Sequence, residues 1–211
     1  MKIEVGVLIL VLVSVSVSAA AQGSAVHAAG PNSFQLSSTT FANGATLPLS
    51  MIYNDIVNGS NACSLNGSPG GNMSPELSWI NAPKGTVGFV VTTFDTTASF
   101  THWGMYNIAG TSTGLPENAG VAGSAYGSQI YNDFYVGQEY DGPCPPAGYR
   151  PYAHRYVFTV YALDYTLSLP SSVNFPANAE TLFQALIRAG KNHHILASAN
   201  IVGFYSTTPS N

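Results

Sequence analysis

Short apolar runs separated by polar, glycine-rich stretches predict a chain built mostly of β-strands. The runs at 88–95, 102–110 and 156–163 are rich in β-branched and aromatic residues, which favour the middle of a sheet. Other apolar runs, some with a high threonine content, extend the pattern at both ends. They predict strands at 34–41, 46–55 and 195–205.

One segment has the 3.6-residue period of an amphipathic helix, residues 177–190. Asn178 is suited to the N-cap and Gly190 to the end of this helix. The apolar stripe consists of Leu182, Phe183, Leu186 and Ile187. Two long polar segments, 57–79 and 111–153, predict no regular element. The pattern therefore predicts a mostly β domain with one clear helix.

The first residues have the layout of a secretory signal peptide. Lys2 precedes an apolar run, which ends in small residues around an Ala-x-Ala cleavage site. A membrane anchor is the alternative, but the run is shorter than the roughly 20 residues that span a bilayer. Export to the periplasm or the exterior follows, with no transmembrane segment after cleavage. The predicted organisation is a signal peptide over 1–21, a flexible leader over 22–33 and one domain over 34–211.

The composition limits the classes of partner. Charged residues are only 8% of the sequence, against about 25% in an average protein. The net charge is −4, and Lys and Arg together number 6. Because nucleic-acid binding depends on basic patches, this composition argues against a nucleic-acid partner.

The chain has two cysteines, Cys63 and Cys144. In an exported protein an even number of cysteines indicates a disulfide first, and two unpaired buried thiols are the alternative. A disulfide would tie down the polar segment 57–79, which carries Cys63.

Three residues that could carry chemistry stand at the ends of predicted strands. Asp95 ends one strand, His102 begins the next and His154 precedes a third. If these strands are neighbours, one carboxylate and two imidazoles converge on one rim. Each residue also has a purely structural interpretation: Asp95 as a turn cap, His102 as a satisfied histidine beside Trp103, and His154 as a packing residue under the proline-rich loop.

Three chemistries could use such a trio. Nucleophilic hydrolysis needs an activated Ser or Cys, and the chain has no G-x-S-x-G motif. A metal could use two histidines and a carboxylate, but their spacing matches no ligand signature. Anion binding needs only donors, which imidazole, tyrosine and a Gly-Pro loop near His154 supply.

Six motifs occur in order along the chain: NMSPELSWINAPKGTVGFVVTTFD, FTHWGMYNIAG, LPENAG, YNDF, GPCPP and HRYVFTVYALD. Together they resemble the phosphatidylethanolamine-binding protein family, in its bacterial Raf-kinase-inhibitor-like branch. The resemblance covers nearly all of the predicted mature chain, from about Phe34 to Tyr205.

The resemblance implies antiparallel sheets with one or more flanking helices and a small anion pocket at one end. In the family this pocket accepts phosphate, acetate-like ions or phospholipid head groups. The resemblance also supports a bond between the two cysteines. The implied pocket residues are Asp95, His102, Tyr140, Gly142, Pro143 and His154.

One motif departs from the family pattern. Where the family has D-P-D-x-P, this chain has Asp95-Thr96-Thr97-Ala98-Ser99, without the second aspartate and the proline. We expect Thr97 to hydrogen-bond in the pocket without carrying charge. Arg155 follows His154 and is expected to point to the other side of its strand, in an ion pair.

Residues and resemblance together predict an exported, non-catalytic protein, without cofactor or metal, that binds a small anion, phosphate or a phospholipid head group. Imidazole titrates near ~6.5, so binding is expected to strengthen from about pH 8 towards pH 6. An inhibitor of a kinase or protease and, less favoured, an ester hydrolase are the alternatives. A protein partner and a homodimer stay open.

Overall fold

The computed structural model describes residues 32–209, which form thirteen strands, one α-helix and a short 3-10 helix at Leu49–Met51. The predicted signal peptide and most of the predicted leader lie outside the described residues. The α-helix is α1 (Ala179–Lys191). The strands are β1 (Gln35–Ser37), β2 (Ala45–Thr46), β3 (Ile56–Val57), β4 (Ser60–Asn61), β5 (Leu77–Ile80), β6 (Gly88–Asp95), β7 (Phe100–Ala109), β8 (Gly114–Leu115), β9 (Ser128–Gln129), β10 (His154–Leu163), β11 (Ser171–Ser172), β12 (Phe175–Pro176) and β13 (Ile195–Tyr205).

The largest sheet brings the three strongest strands together. Its order is β2-β13-β10-β6-β7-β9, and every pair is antiparallel except β2 with β13. In this register, Tyr156 of β10 lies opposite Asp95 of β6, and Asp95 lies opposite Phe100 of β7. The end of β6 and the beginnings of β7 and β10 therefore meet at one end of the sheet.

Both faces of this sheet are covered. On one face, an apolar cluster joins it to a three-stranded sheet of order β1-β5-β8. Trp79 of β5 packs on Phe89 of β6 with ring centroids 5.0 Å apart. On the other face, Val90 packs with Leu182 of α1 in a second cluster. Side chains alternate along β6, so neighbouring residues reach opposite layers.

The helix begins as its sequence indicates. The Asn178 side chain accepts a hydrogen bond from the Thr181 backbone N–H at 3.0 Å. In return, the Thr181 hydroxyl oxygen accepts one from the Asn178 backbone N–H. Such a cap contributes about 1 kcal/mol. The helix continues through Gly190 to Lys191. The predicted stripe is wrong at Ile187, which is 49% exposed, because alanines fill the buried positions beside it.

The mostly β architecture with antiparallel sheets and a flanking helix is confirmed, but two local predictions are wrong. The segment 46–55 does not form one strand. Its middle is a 3-10 turn, in which the backbone N–H groups of Met51 and Ile52 donate to the carbonyls of Pro48 and Leu49 within the segment and not to a neighbouring strand. Leu77–Ile80 is a strand within the segment predicted to be a loop. Its pattern of buried and exposed residues is too short to stand out among glycines and prolines.

The structure contains the predicted disulfide between Cys63 and Cys144, with Cα atoms 4.5 Å apart and 81 positions of sequence between them. It ties the β4 loop to the proline-rich segment before β10. Across residues 32–209, no helix has the length and apolar character needed to cross a membrane.

Candidate functional site

A small cavity of about 210 Å³ lies where β6 ends and β7 and β10 begin. Four side chains with polar groups line it: Asp95, His102, His154 and Tyr156. The remaining wall is apolar and consists of Ala98, Phe100, Phe134, Cys144, Pro145 and Pro146. The structure therefore brings together the carboxylate and both imidazoles that the sequence placed at strand ends. Among residues 32–209, no group of three or more His, Cys, Asp or Glu side chains is arranged to hold a metal ion.

Asp95 serves both the turn and the cavity. One carboxylate oxygen, Oδ1, accepts hydrogen bonds from the backbone N–H groups of Thr97 at 2.8 Å and Ala98 at 3.1 Å. The other, Oδ2, lies 2.6 Å from Nδ1 of His154. The turn-cap role and the site role are thus compatible, because each uses a different oxygen. The carboxylate is almost completely buried, so these bonds fix its position.

Both histidines are anchored by the same ring nitrogen. Nδ1 of His102 lies 2.8 Å from the backbone carbonyl of Asp141, and Nδ1 of His154 faces the Asp95 carboxylate. A carbonyl oxygen can only accept, so Nδ1 of His102 carries the proton. Neither Nε2 has a hydrogen-bond partner within residues 32–209. Nε2 is therefore the atom that each ring leaves available to a ligand.

Burial controls the charge of His102. Its side chain is buried beside Phe100, Phe134 and Tyr156. Loss of solvation lowers the pKa of His102 below its usual value, although the Asp141 carbonyl and the Asp95 carboxylate act in the opposite direction. His102 is thus biased towards the neutral imidazole, and an anion beside it would favour the protonated form.

Tyr156 was missed at the level of sequence. It stands two residues after His154 on β10, so alternation puts both side chains on the same face. Its hydroxyl is buried and interacts with the nearby Asp95 carboxylate, but no contact within the described chain has the full geometry of a hydrogen bond. Burial, and next the Asp95 charge, raise the pKa of Tyr156. The hydroxyl therefore keeps its proton and remains a donor without a partner.

The loop residues predicted for the pocket do not line the cavity. The Tyr140 hydroxyl donates to the Met51 carbonyl at 3.0 Å. The backbone N–H of Gly142 donates to Oδ1 of Asn72 at 2.7 Å. Pro143 uses its carbonyl to accept from the backbone of another segment, Tyr53. The predicted donor roles of Tyr140 and Gly142 are corrected accordingly, because their polar groups are already paired.

This loop acts as a scaffold, and Asp141 is at its centre. The Asp141 carboxylate is buried and accepts from Nδ2 of Asn72 at 3.1 Å and from Nδ2 of Asn132 at 2.8 Å. Its backbone carbonyl anchors His102. A Cβ on Gly142 would collide with the Met51 carbonyl, so glycine is needed for this close approach.

Two further expectations from the sequence are wrong. The Thr97 hydroxyl accepts from the backbone N–H of Arg155 at 3.0 Å and does not line the cavity. Arg155 does point away from the cavity side, but it has no ion pair within residues 32–209. Its guanidinium lies 3.5 Å from the Thr96 hydroxyl instead. Both residues fasten the beginning of β10 to the turn after β6.

Comparison with known proteins identifies the family. Residues 37–206 match the family model described as phosphatidylethanolamine-binding protein. The UPF0098 protein YbcL of Escherichia coli is 33% identical over 82% of this chain and 87% of its own length. A UPF0098 protein of Aquifex aeolicus is 34% identical over 84% of this chain and 91% of its own. The crystal structure of E. coli YbcL, described as a new member of the mammalian PEBP family, superposes with a TM-score of 0.65 at 31% identity, over 82% of this chain and 98% of YbcL. The chain therefore belongs to the phosphatidylethanolamine-binding protein family.

Proposed function

We propose that this chain is an exported, non-catalytic protein that binds a small oxyanion, such as the phosphate of a phosphorylated compound, in the cavity at the end of β6, β7 and β10. One observation carries the proposal. Two buried histidines, His102 and His154, are anchored through Nδ1 and leave Nε2 free around one cavity, which the Tyr156 side chain also lines.

The available groups favour an anion over a cation. A histidine protonated at both nitrogens offers a charge-assisted donor at Nε2, and the Tyr156 hydroxyl is a further donor without a partner. The only carboxylate in the lining, Asp95, already accepts from two backbone N–H groups and from His154. Its Oδ2 lies 2.6 Å from Nδ1 of His154, so the carboxylate holds that ring in place.

The size and wall of the cavity set the size of the ligand. A volume of about 210 Å³ is below the ~300–1,000 Å³ of sites for drug-sized molecules. It accommodates a phosphoryl or carboxylate group, and any larger substituent would project past the apolar wall. Phe100 and Phe134 form an edge-to-face pair in that wall, with centroids 4.9 Å apart. A phosphoester with a short apolar or ethanolamine substituent fits this arrangement.

The cavity lining offers little for hydrolysis. Its residues include no serine or threonine, and its single sulfur, in Cys144, is bonded to Cys63. Binding without turnover is therefore the function that we propose. Export is supported by the signal-like N-terminal pattern and by the disulfide, which is typical of oxidising compartments.

NMR titration of the mature protein with inorganic phosphate and with phosphoethanolamine tests this function. We expect the ring signals of His102 and His154 to shift. His154→Gln should weaken binding by about 10- to 100-fold, as expected for the loss of a charge-assisted hydrogen bond worth about 1.5–3 kcal/mol. The matched control is His194→Gln, which removes another Asp-paired histidine, bound to Asp164 at 2.9 Å but far more exposed. It should leave the affinity unchanged.

Two results would contradict the proposal. Equal affinity in the wild type and His154→Gln, or histidine signals that do not respond to either ligand, would remove the cavity as the anion site. Turnover of a phosphoester by the pure protein, lost in His154→Gln but kept in His194→Gln, would instead make the protein an enzyme. A response to phosphoethanolamine but not to phosphate would show that the ligand is selected through its substituent.

A further inference from the structure

A second, wider groove shares no lining residue with the histidine cavity. It has a volume of about 580 Å³ and lies between the segment 123–129, which ends in β9, and the β11–β12 hairpin. Tyr106 of β7 and Tyr131 complete the lining from the sheet side. This volume is within the range of sites for small organic ligands, roughly 300–1,000 Å³.

The groove differs from the histidine cavity in its chemistry. None of its lining residues is charged or is a histidine; the polar side chains are serine, glutamine and tyrosine only. Nothing in the lining attracts an anion or a cation, so a ligand selected here would be uncharged. Apolar area from Pro170, Val173 and Pro176 alternates with these polar groups.

Several hydroxyls in the groove have no partner. Tyr106 is only 9% exposed, yet its hydroxyl makes no hydrogen bond within residues 32–209. The hydroxyl itself is not fully enclosed, so it reaches the groove, where a ligand can hydrogen-bond to it. The same holds in more exposed positions for the hydroxyls of Tyr131, Ser128 and Ser171, which make no hydrogen bond within the described chain.

Glycine allows one wall of the groove to lie close against β7. A Cβ on Gly127 would lie 2.8 Å from the Tyr106 carbonyl, so only glycine allows this approach without a shift. Gly123 adopts a positive φ of 71° and leaves its backbone uncovered at the rim. The wall therefore presents main-chain groups beside the free hydroxyls.

We propose that this groove binds an uncharged, polyhydroxylated ligand, a segment of an oligosaccharide. Hydroxyl groups both donate and accept, and a ligand made of hydroxyls matches a lining made of hydroxyls and amides. Tyrosine and proline surfaces suit the apolar C–H faces of sugar rings, and the open shape suits a chain that continues beyond the site. The proposal is independent of anion binding, because the two sites share no residue.

Titration with maltose and with cellobiose, each at millimolar concentration and followed by ¹H–¹⁵N NMR, tests the proposal. We expect at least one disaccharide to shift the backbone amides of 123–129 and 171–173 while the ring signals of His102 and His154 stay in place. Tyr106→Phe, which removes only the hydroxyl, should weaken binding by about 3- to 10-fold. The control is Tyr126→Phe, since Tyr126 is nearly half exposed and does not line the groove.

A second variant keeps the test decisive if the effect of one hydroxyl is small. Ser171→Trp, on the exposed hairpin, fills the groove and should abolish disaccharide binding while phosphate still shifts the histidine signals. The proposal is overturned if neither disaccharide shifts the groove amides. It is equally overturned if Tyr106→Phe and Tyr126→Phe weaken binding alike, or if only a proline-rich peptide shifts these amides.

Discussion

The histidine cavity has two sides that differ in what their polar groups do. On the strand side, His102, His154 and Tyr156 keep hydrogen-bonding groups that no other part of the described chain uses. On the loop side, the Tyr140 hydroxyl and the Gly142 backbone N–H already donate hydrogen bonds to Met51 and Asn72. In our proposal the strand side binds the ligand, and the loop side holds the strand side in position.

The physical reason for this division is the way each side is built. The backbone N–H and C=O groups of a strand inside a six-stranded sheet are already hydrogen-bonded to the neighbouring strands. The side chains at its end are therefore not needed for the backbone and can face the cavity. The loop has few ladder bonds, and side chains must satisfy its backbone and tie it to its neighbours. The comparison predicts that strand-side variants change binding and that loop-side variants change stability.

The largest effect on stability should come from the disulfide, which fixes the loop side at Cys144. Cys63→Ala combined with Cys144→Ala should lower the free energy of unfolding by about 4 kcal/mol, as the chain-entropy model gives for a closed loop of this length. Urea denaturation followed by fluorescence measures the loss. Mass spectrometry of unreduced wild type should find no alkylatable thiol. Two free thiols, or unchanged stability in the variant, would contradict the role of the bond.

The next effect should come from Asp141. Asp141→Ala removes one hydrogen-bond acceptor from the buried Asn132 amide and one from the half-buried Asn72 amide, and should cost about 2–4 kcal/mol of unfolding free energy. Asp55→Ala is the control, because the Asp55 side chain is exposed and makes no hydrogen bond within residues 32–209; its effect should stay within about 0.5 kcal/mol. If Asp141→Ala instead kept full stability and lost phosphate binding, the loop would belong to the binding side.

Two tyrosines give the sharpest contrast between the sides. Tyr156→Phe removes a buried hydroxyl without a hydrogen bond, so the free protein should keep its stability or gain up to about 1 kcal/mol, while anion binding weakens by about 1 kcal/mol. Tyr140→Phe breaks the bond to Met51 and should do the reverse: about 1 kcal/mol less stable, with binding unchanged. For each variant, denaturation measures the change in stability and phosphate titration measures the change in affinity. If both variants changed stability and affinity in the same way, the two sides of the cavity would not differ in role.

The strand side was predictable from sequence and the loop side only in part. Apolar runs predicted β6, β7, β10 and β13 to within two residues, because long runs rich in β-branched and aromatic residues carry a strong strand signal. The positions of Asp95, His102 and His154 at strand ends then followed. Tyr156 could have been predicted as a site residue, since alternation alone puts it on the same face of the strand as His154. Its aromatic ring instead fitted the apolar pattern of the strand.

The loop was beyond such reasoning because its contacts join distant segments. The bond from Tyr140 to Met51 spans 89 positions, and that from Gly142 to Asn72 spans 70. No local pattern encodes such pairs. The resemblance to the family supplied the residue positions but not the direction in which their polar groups point. The strand prediction for the segment 46–55 was wrong for the same reason, because its turn is shaped by the loop that packs on it.

The pH dependence of sulfate binding tests the central claim most directly, because sulfate keeps its charge across the range and only the protein titrates. An anion needs a proton on Nε2 of the histidines, and burial lowers the pKa of His102, so binding must take up protons. The affinity should therefore rise as the pH falls from 8 and keep rising below the ordinary imidazole value of ~6.5. His102→Asn should lose the rise at the lowest pH. The predicted result is an increasing affinity with moving signals of both histidine rings; an affinity independent of pH, or rings that do not respond to sulfate, would contradict the assignment of anion binding to the strand side.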